Sequence, residues 1–231
     1  MSSRRSQHLT NQLHAVDAHF ALSRQEVAAH HGYRFAKRAC DIVLAACGLV
    51  VLSPVFLIVA IAIKVEEPRG PVFFSQMRVG ENGKPFRMYK FRSMAVDAEA
   101  RLEALLKHNE VEGAMFKMKE DPRITKVGRL IRHISVDELP QLYNVLNGSM
   151  SLVGPRPCLM REYAQYTEFD KQRLFVRPGC TGLWQVSGRN HVGFVDMVKL
   201  DLYYIRHRTL RMDLGIMVRT VGVMIFPNAA Y

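Results

Sequence analysis

The most constraining feature of this sequence is a long run without a charged residue in its N-terminal third. It extends from Ile42 to Ile63, reads IVLAACGLVVLSPVFLIVAIAI and contains 22 residues. A straight helix of that length spans about 33 Å, enough to cross the hydrocarbon part of a bilayer. A secretory signal fits poorly, because the run starts after 41 residues and no convincing cleavage site follows it. The run therefore predicts a membrane-attached segment.

Ser53 and Pro54 stand at the middle of this run and predict a break in it. Proline removes a helix hydrogen bond, which leaves two arms of about 11 residues, each about 16 Å long. The Ser53 hydroxyl can bond a carbonyl that the kink frees. Basic residues flank both ends of the run: Arg34, Lys37 and Arg38 before it, and Lys64, Arg69, Arg78, Lys84, Arg87, Lys90 and Arg92 after it. Because positive flanks favour the cytosolic side, we favour a re-entrant hairpin, with a kinked helix that crosses once as the alternative.

The charge balance of the chain predicts an anionic partner. Its 32 Lys and Arg residues against 21 Asp and Glu give a net charge of +11. Nucleic acid, a membrane surface and a phosphorylated substrate all fit this charge. The four cysteines form no CxxC pair, which indicates reduced thiols in a cytosol-facing protein.

The remaining pattern predicts a mostly α fold with a minor β-hairpin, that is, a membrane-associated α+β protein. The hairpin is expected at Val72–Arg78 and Phe86–Phe91, around a Gly-Glu-Asn-Gly turn. Helical spacing predicts helices at Val96–Asn109, at Leu139–Leu146, near Met160–Phe175 and at Phe194–His207, and the stretch DPRITKVGRLIRHIS predicts a turn followed by a short basic helix. The C-terminal stretch TLRMDLGIMVRTVGVMIF fits an interfacial helix and a core helix equally well.

Three segments follow from this reading. Residues 1–32 form a polar N-terminal extension, residues 33–65 the re-entrant membrane hairpin, and residues 66–231 a cytosolic catalytic domain with interfacial C-terminal helices.

Asp137 and Glu138 are adjacent acids in this basic chain, and two interpretations compete for them. Ser135 and Glu138 match a helix capping box, but Pro140 would then break the first turns of the helix. Placing Asp137 at the N-cap removes that conflict and points its carboxylate at the positive end of the helix, which favours the ionised form. An ionised aspartate can attack phosphorus, and a neighbouring carboxylate can hold Mg²⁺.

Rigidly placed cations accompany these acids in the sequence. Lys90 and Arg92 alternate in KFRSM, and Arg156 lies between Pro155 and Pro157, which restrict the backbone around it. Acids, a metal ligand and fixed cations are what phosphoryl transfer from a nucleoside diphosphate requires. A Walker loop and the GxGxxG, DxD, HExxH and GxSxG motifs are all absent from the sequence.

Four stretches resemble the bacterial sugar transferase family, the monotopic phosphoglycosyl transferases that act on polyprenyl phosphate. They are KRACDIVLA…LSPVFLIVAIAIK, GPVFFSQMRVGENGKPFRMYKFRSM, DPRITKVGRLIRHISVDELPQLYNVLNGSMSLVGPRP and RPGCTGLWQVSGRN, and the resemblance extends from about Tyr33 to the C-terminus. The last stretch resembles enzymes that initiate exopolysaccharide and lipopolysaccharide O-antigen synthesis, which makes UDP-glucose or UDP-galactose the expected donor.

The resemblance implies a role for each matching residue. Asp137 would attack the β-phosphate of a UDP-sugar and release UMP, and Glu138 would bind the Mg²⁺ cofactor. Polyprenyl (undecaprenyl) phosphate would then accept the sugar phosphate in a ping-pong reaction. The resemblance also implies the cytosolic face of the bacterial inner membrane, membrane lipid as a partner and no nucleic acid; it leaves open whether the protein is a homo-oligomer. The implied substrate-binding residues are Lys90, Arg92, Pro155, Arg156, Pro157, Arg189 and Asp201, and the implied membrane break is Ser53 and Pro54.

Two alternatives to this reaction are kept. A non-enzymatic membrane-associated binder of anionic lipid or nucleic acid would also explain the net charge. A one-step transfer in a ternary complex would use Asp137 only as a base.

Overall fold

Helices dominate the structure, as the sequence predicts, and small sheets complete it. The computed structural model describes residues 21–98, 100–101, 118, 121–187 and 193–225. The helices are α1 (Arg24–Ala29), α2 (His31–Val51), α3 (Ser53–Glu66), α4 (Lys126–His133), α5 (Gln141–Asn147), α6 (Met160–Tyr163), α7 (Glu168–Lys171), α8 (Leu183–Ser187), α9 (Phe194–His207) and α10 (Leu210–Ile225). The strands are β1 (Phe73–Val79), β2 (Pro85–Phe91), β3 (Ser151–Val153), β4 (Cys158–Leu159) and β5 (Gly179–Thr181).

The long apolar run is a helix pair broken where the sequence predicts. α2 and α3 meet at Leu52 with a bend of 58° between them. The Ser53 hydroxyl donates to the Val50 carbonyl over 2.8 Å, and Pro54 lies in the first turn of α3, where its missing N–H does no harm. None of the described helices alone is long and apolar enough to cross a membrane, whereas α2 and α3 together meet that criterion as a bent pair. The break is confirmed, and the re-entrant topology stays a prediction.

One face of this helix pair packs against the rest of the chain. Ala45 lies against Met88 and Val145, while Val59 and Ile63 lie with Phe91 in a second cluster. The opposite face leaves large apolar side chains exposed: Phe35, Ile42, Val43, Leu44, Val50, Val51, Leu57, Ile58, Ile61 and Val65. An apolar surface of this extent is typical of a membrane or protein contact.

The predicted hairpin is present, with its boundaries shifted by at most one residue. β1 and β2 are antiparallel, and the turn places Asn82 and Gly83 in the left-handed region with φ of 59° and 77°. The prediction of a hairpin alone was incomplete, because β4 pairs with β1 and gives a three-stranded sheet of order β2-β1-β4.

A second, two-stranded sheet pairs β3 with β5 in parallel. The sheet depends on a close approach of glycine backbones at its end. A Cβ on Gly179 would lie 2.1 Å from the Gly154 nitrogen, so only glycine fits at position 179. This contact fixes the backbone that leads into Pro155.

The largest buried cluster lies around α9, which spans Phe194–His207 as predicted. The helix predicted near Met160–Phe175 is instead divided into α6, α7 and a 3₁₀ turn at Gln172–Phe175. The predicted helix at Val96–Asn109 lies mostly outside the described residues.

α10 has one buried face and one exposed apolar face, and its position at a membrane interface stays a prediction. Asp213 and Ile216 are buried, whereas a stripe of apolar side chains on the same helix is exposed. The exposed members are Leu210, Leu214, Val218 and Val221. At the other end of the chain, α1 buries Val27 in the α9 cluster. The three predicted segment boundaries stay predictions.

Candidate active site

Asp137 and Glu138 lie in a 3₁₀ turn, Val136–Glu138, that precedes α5. The capping-box interpretation is wrong, since Ser135 makes no side-chain cap bond to the described residues and the Glu138 side chain bonds elsewhere. The placement of Asp137 at the N-cap is also wrong, because α5 begins at Gln141 after Pro140. Ser135 itself has φ of 57°, an unfavourable value for a non-glycine residue, so the backbone just before the acids is strained.

Lys90 on β2 joins the two acids. Its Nζ lies 2.5 Å from Glu138 Oε1 and 4.0 Å from Asp137 Oδ2. Lys90 and Glu138 keep 20% and 29% of their side-chain surface exposed, while Asp137 keeps 10%. The structure therefore brings together the two acids and one of the predicted cations.

Asn144 holds the acid-bearing segment against this strand. Its amide donates to the Arg87 carbonyl over 2.7 Å, and its Oδ1 accepts from the Tyr89 N–H over 2.9 Å. β2 is an edge strand of its sheet, so Asn144 replaces the partner strand that this edge lacks. Sequence reasoning missed Asn144, which fixes α5 next to Lys90.

The Pro155-Arg156-Pro157 segment is fixed through its carbonyl groups. Two of its three residues have no N–H, so its backbone can be anchored mainly by accepting hydrogen bonds. The three carbonyls accept from Gly179 N–H over 2.9 Å, Arg173 Nη2 over 3.4 Å and Arg78 Nη1 over 3.3 Å, in chain order. Both prolines are buried and Arg156 is partly exposed.

A small cleft collects these groups. Lys90, Glu138, Arg156, Pro157 and Arg78 all line it. Arg78 was not among the predicted site residues, although the predicted hairpin contained the signal. β1 pairs Phe74 with Lys90, and alternation places Arg78 on the same face as that pair.

The charges of the cleft perturb the two acids in opposite directions. Burial raises the pKa of Glu138, but Lys90, Arg156 and Arg78 outweigh it and lower the pKa to about 2. Burial raises the pKa of Asp137 and Lys90 opposes it only in part. This is opposite to the lowered pKa that a helix-end position predicts. Burial and the charge of Arg156 lower the pKa of Arg78 to about 10, as expected where cations crowd without enough anions.

Three predicted substrate-binding residues do not line this cleft: Arg92, Asp201 and Pro155, whose neighbours Arg156 and Pro157 do. Arg92 follows the end of β2 and pairs with Glu67, with 3.6 Å between Nη2 and Oε2. Asp201 lies on α9 and pairs with Arg173 in the protein core, where both side chains are almost fully buried. Both side chains therefore already form ion pairs within the protein. Asp201 acts on the site only through Arg173, which also bonds the Arg156 carbonyl. Arg189 lies outside the described residues.

A divalent cation would find one suitable carboxylate in the cleft. Within the described ranges, no group of three or more His, Cys, Asp or Glu side chains is arranged to hold a metal ion. Mg²⁺ is commonly held by one or two carboxylates together with substrate phosphates and water. Glu138 fits that role, because it is ionised and partly exposed to the cleft.

The arrangement defines the class of site. Three cations surround one ionised carboxylate and lie beside a second carboxylate, so the cleft carries excess positive charge at its surface. Such a site binds phosphate oxyanions and stabilises charge that develops on them.

Comparison with known proteins then identifies the family. The chain belongs to the bacterial sugar transferase family, whose sequence model matches residues 32–227.

Three relatives illustrate this membership. The chain is 48% identical over 203 residues to the galactosyl transferase CpsE of Streptococcus agalactiae, covering 87% of the chain and 44% of that protein. It is 44% identical over 211 residues to the undecaprenyl-phosphate galactose phosphotransferase of Salmonella typhimurium, covering 90% and 44%. It is 38% identical over 199 residues to the exopolysaccharide production protein ExoY of Sinorhizobium fredii, covering 84% and 88%. The chain thus spans less than half the length of the first two relatives and most of the third.

Proposed function

We propose that this chain transfers a sugar 1-phosphate from a UDP-sugar to polyprenyl phosphate and releases UMP. The observation that carries the proposal is the cleft in which Lys90, Arg78 and Arg156 surround Glu138 beside Asp137. Family membership and the name of the Salmonella relative support the same reaction class. Two relatives are named for galactose, so UDP-galactose is the first donor to test.

In the first step, a carboxylate oxygen of Asp137 attacks the β-phosphorus of the UDP-sugar. The new O–P bond replaces the bond between the β-phosphorus and the oxygen bridging to the α-phosphate, and that oxygen leaves with UMP. Arg156, Lys90 and Arg78 neutralise the charge that moves onto the diphosphate. Because the Asp137 side chain is only 10% exposed, its surroundings must open or the side chain must turn towards the cleft.

In the second step, a phosphate oxygen of polyprenyl phosphate attacks the same phosphorus. The bond to Asp137 breaks, the carboxylate is restored and polyprenyl diphosphosugar leaves. A covalent intermediate allows the soluble donor and the lipid acceptor to use one site in turn.

Glu138 is the residue we propose to hold Mg²⁺, which when bound neutralises diphosphate charge. Lys90 donates to one oxygen of Glu138 over 2.5 Å. Beside a metal ion held by Glu138, Lys90 would bind a phosphate oxygen of the donor.

We further propose that α2 and α3 form a re-entrant hairpin in the inner membrane, with the catalytic cleft on the cytosolic side. The bend at Leu52, the exposed apolar face and the basic flanks support this topology. Membrane-impermeant thiol labelling of single cysteines placed at the exposed positions 30 and 69 tests it. Both positions are expected on the cytosolic side, and labelling of one of them from the periplasm would refute the hairpin.

The reaction is tested by measuring UMP release with purified full-length protein, polyprenyl phosphate, Mg²⁺ and a panel of UDP-sugars. One UDP-sugar is expected to give UMP and a lipid-linked sugar in equal amounts. If UDP-sugars bind but none of them is turned over, the chain is a binder of anions and not a transferase.

A further inference from the structure

A second and larger cavity lies at the other end of α5 from the acids. Its volume is about 590 Å³, and α1, the start of α2, the hairpin turn, β3 and residues 175–177 contribute to its lining. Among the described residues, it shares no lining residue with the cleft that contains Lys90 and Glu138. Arg38 of this cavity donates to the Val145 and Leu146 carbonyls, over 2.5 and 2.8 Å, at the end of α5. Since α5 is about 10 Å long, the cavity is separate from the acids.

This cavity is strongly cationic. Six basic side chains line it: Arg24, Arg34, Lys37, Arg38, Arg177 and Arg208. Only two acids, Asp41 and Glu81, line it with them. Both acids already have basic neighbours, since Asp41 lies 3.9 Å from Lys37 and Glu81 lies 3.6 Å from Arg177. Lys37 also pairs with the buried Asp213, 3.1 Å away, whereas Arg24, Arg34, Arg38 and Arg208 form no ion pair with the lining acids.

Arg208 has guanidinium donors without a partner in the described part of the chain, at the wall of this cavity. Its side chain is buried, with 9% of the residue exposed, and Nη2 donates to the Val27 carbonyl over 2.7 Å. Its Nε and Nη1 are buried and find no acceptor among the described residues. Its guanidinium lies 5.5 Å from the Tyr33 ring centre, so the ring covers the cation without accepting those protons in a conventional hydrogen bond. Buried unpaired donors of a guanidinium are costly, and an oxyanion would satisfy them once a shift of the side chain turned them towards the cavity.

We propose that this cavity binds a phosphate group, held by Arg208 with Arg34 and Arg38 beside it. The proposal does not depend on the reaction proposed for the cleft that contains Lys90 and Glu138. The cavity opens next to the start of α2, where Phe35 is 80% exposed and the exposed apolar run begins at Ile42. This position favours the phosphodiester headgroup of an anionic lipid as the source of the phosphate. Free phosphate is the other source with the same chemistry.

Full-length protein in neutral detergent micelles provides the test. Native mass spectrometry with added dioleoylphosphatidylglycerol or dioleoylphosphatidylcholine measures lipid binding, and thermal shift with inorganic phosphate measures the free anion. Phosphatidylglycerol is expected to bind more tightly than phosphatidylcholine. Arg208→Gln is expected to weaken that binding about tenfold or more, because it removes charged hydrogen bonds to phosphate.

Arg211→Gln serves as the control. It changes an exposed arginine three residues after Arg208 and is expected to leave phosphatidylglycerol binding unchanged. Arg34→Gln, at an exposed lining residue, is expected to weaken binding and gives an answer even if Arg208→Gln fails to fold.

Each result decides the proposal. Stabilisation by inorganic phosphate that Arg34→Gln reduces would support the phosphate site and identify free phosphate as the ligand. Preference for phosphatidylglycerol without stabilisation by phosphate would support the site and identify a lipid headgroup. Unchanged phosphatidylglycerol binding and unchanged phosphate response in Arg34→Gln would overturn the proposal.

Discussion

Two of the acidic centres that the structure describes balance their charges differently. In the core, Asp201 and Arg173 pair one to one, with only 1% and 2% of their side chains exposed. Arg173 also donates to the Tyr166 hydroxyl and the Arg156 carbonyl. In the cleft, Glu138 is surrounded by more cations than it can neutralise, and it keeps 29% of its side-chain surface exposed.

This difference separates a structural acid from reactive ones. A closed buried pair contributes position but offers no charge to a ligand, and it becomes costly when one partner is removed. An open cluster with excess positive charge attracts an oxyanion and can stabilise charge on it. We therefore propose that Asp137 and Glu138 take part in the chemistry and that Asp201 positions the Arg156 loop.

The largest expected effect is that of Asp137→Asn on turnover. Removal of the proposed nucleophile should lower UMP release about 10⁴-fold or more, since the covalent step has no substitute group. Burial raises the pKa of Asp137, so folding disfavours its ionised form, and the neutral amide should not lower the melting temperature at neutral pH. Steady-state UMP release and thermal denaturation together measure this separation. Retained turnover would remove Asp137 from the chemistry.

Asp201→Asn should instead lower the stability of the protein. It leaves the buried Arg173 charge without its partner, which is expected to lower the free energy of unfolding by about 3–5 kcal/mol. Denaturant unfolding of Asp201→Asn and of Asp196→Asn, at a less buried position on the same helix, provides the matched comparison. Equal stability of the two variants would show that the core pair is not structural.

A smaller effect on activity is expected at Arg156, whose carbonyl accepts a hydrogen bond from Arg173 of the core pair. Arg156→Lys keeps the charge but loses the planar pair of donors, so kcat/KM for the UDP-sugar should fall about tenfold. Arg161→Lys, at an exposed site on α6, is the control and should have no effect. An unchanged kcat/KM in Arg156→Lys would show that Arg156 does not bind the donor phosphates bidentately.

The smallest expected effect is on the pH dependence of the reaction. The nucleophile must be ionised, so activity should fall as the pH drops through the raised pKa of Asp137. Lys90 lowers that pKa, and Lys90→Gln should therefore move the acidic limb of the kcat/KM profile to higher pH. Lys84→Gln, on the exposed hairpin, should leave the profile unchanged. An identical acidic limb for Lys90→Gln would contradict the coupling between Lys90 and Asp137.

Local patterns predicted most of the elements that frame the cleft. The hairpin, the break at Ser53 and Pro54, and α9 follow from turn residues, proline and helical periodicity, which act over a few neighbouring positions. The two- and three-residue strands β4 and β5 could not be predicted in this way, since distant partners determine their pairing. The same long-range packing divides the segment from Met160 to Phe175 into short helices.

The cleft was partly predictable for a related reason. Strand alternation contained the information that Arg78 shares a face with Lys90, and proline flanks marked Arg156 as rigid. The stretch KLDLYY does not indicate that the side chain of Asp201 is buried. The sequence therefore could not show that Asp201 forms an ion pair with Arg173 in the core. Nor could it show that Asn144 replaces a missing strand partner, because that contact depends on how α5 docks against β2.

A covalent bond to Asp137 is the central step of the proposed reaction, and one measurement tests it directly. Protein is mixed with a UDP-sugar carrying a label in the sugar, with Mg²⁺ and no polyprenyl phosphate, and the products are quenched and counted. We predict up to one UMP per protein, label on the peptide containing Asp137, and neither in Asp137→Asn. If UMP release and labelling are both absent until polyprenyl phosphate is added, transfer occurs in one step and Asp137 is not the nucleophile.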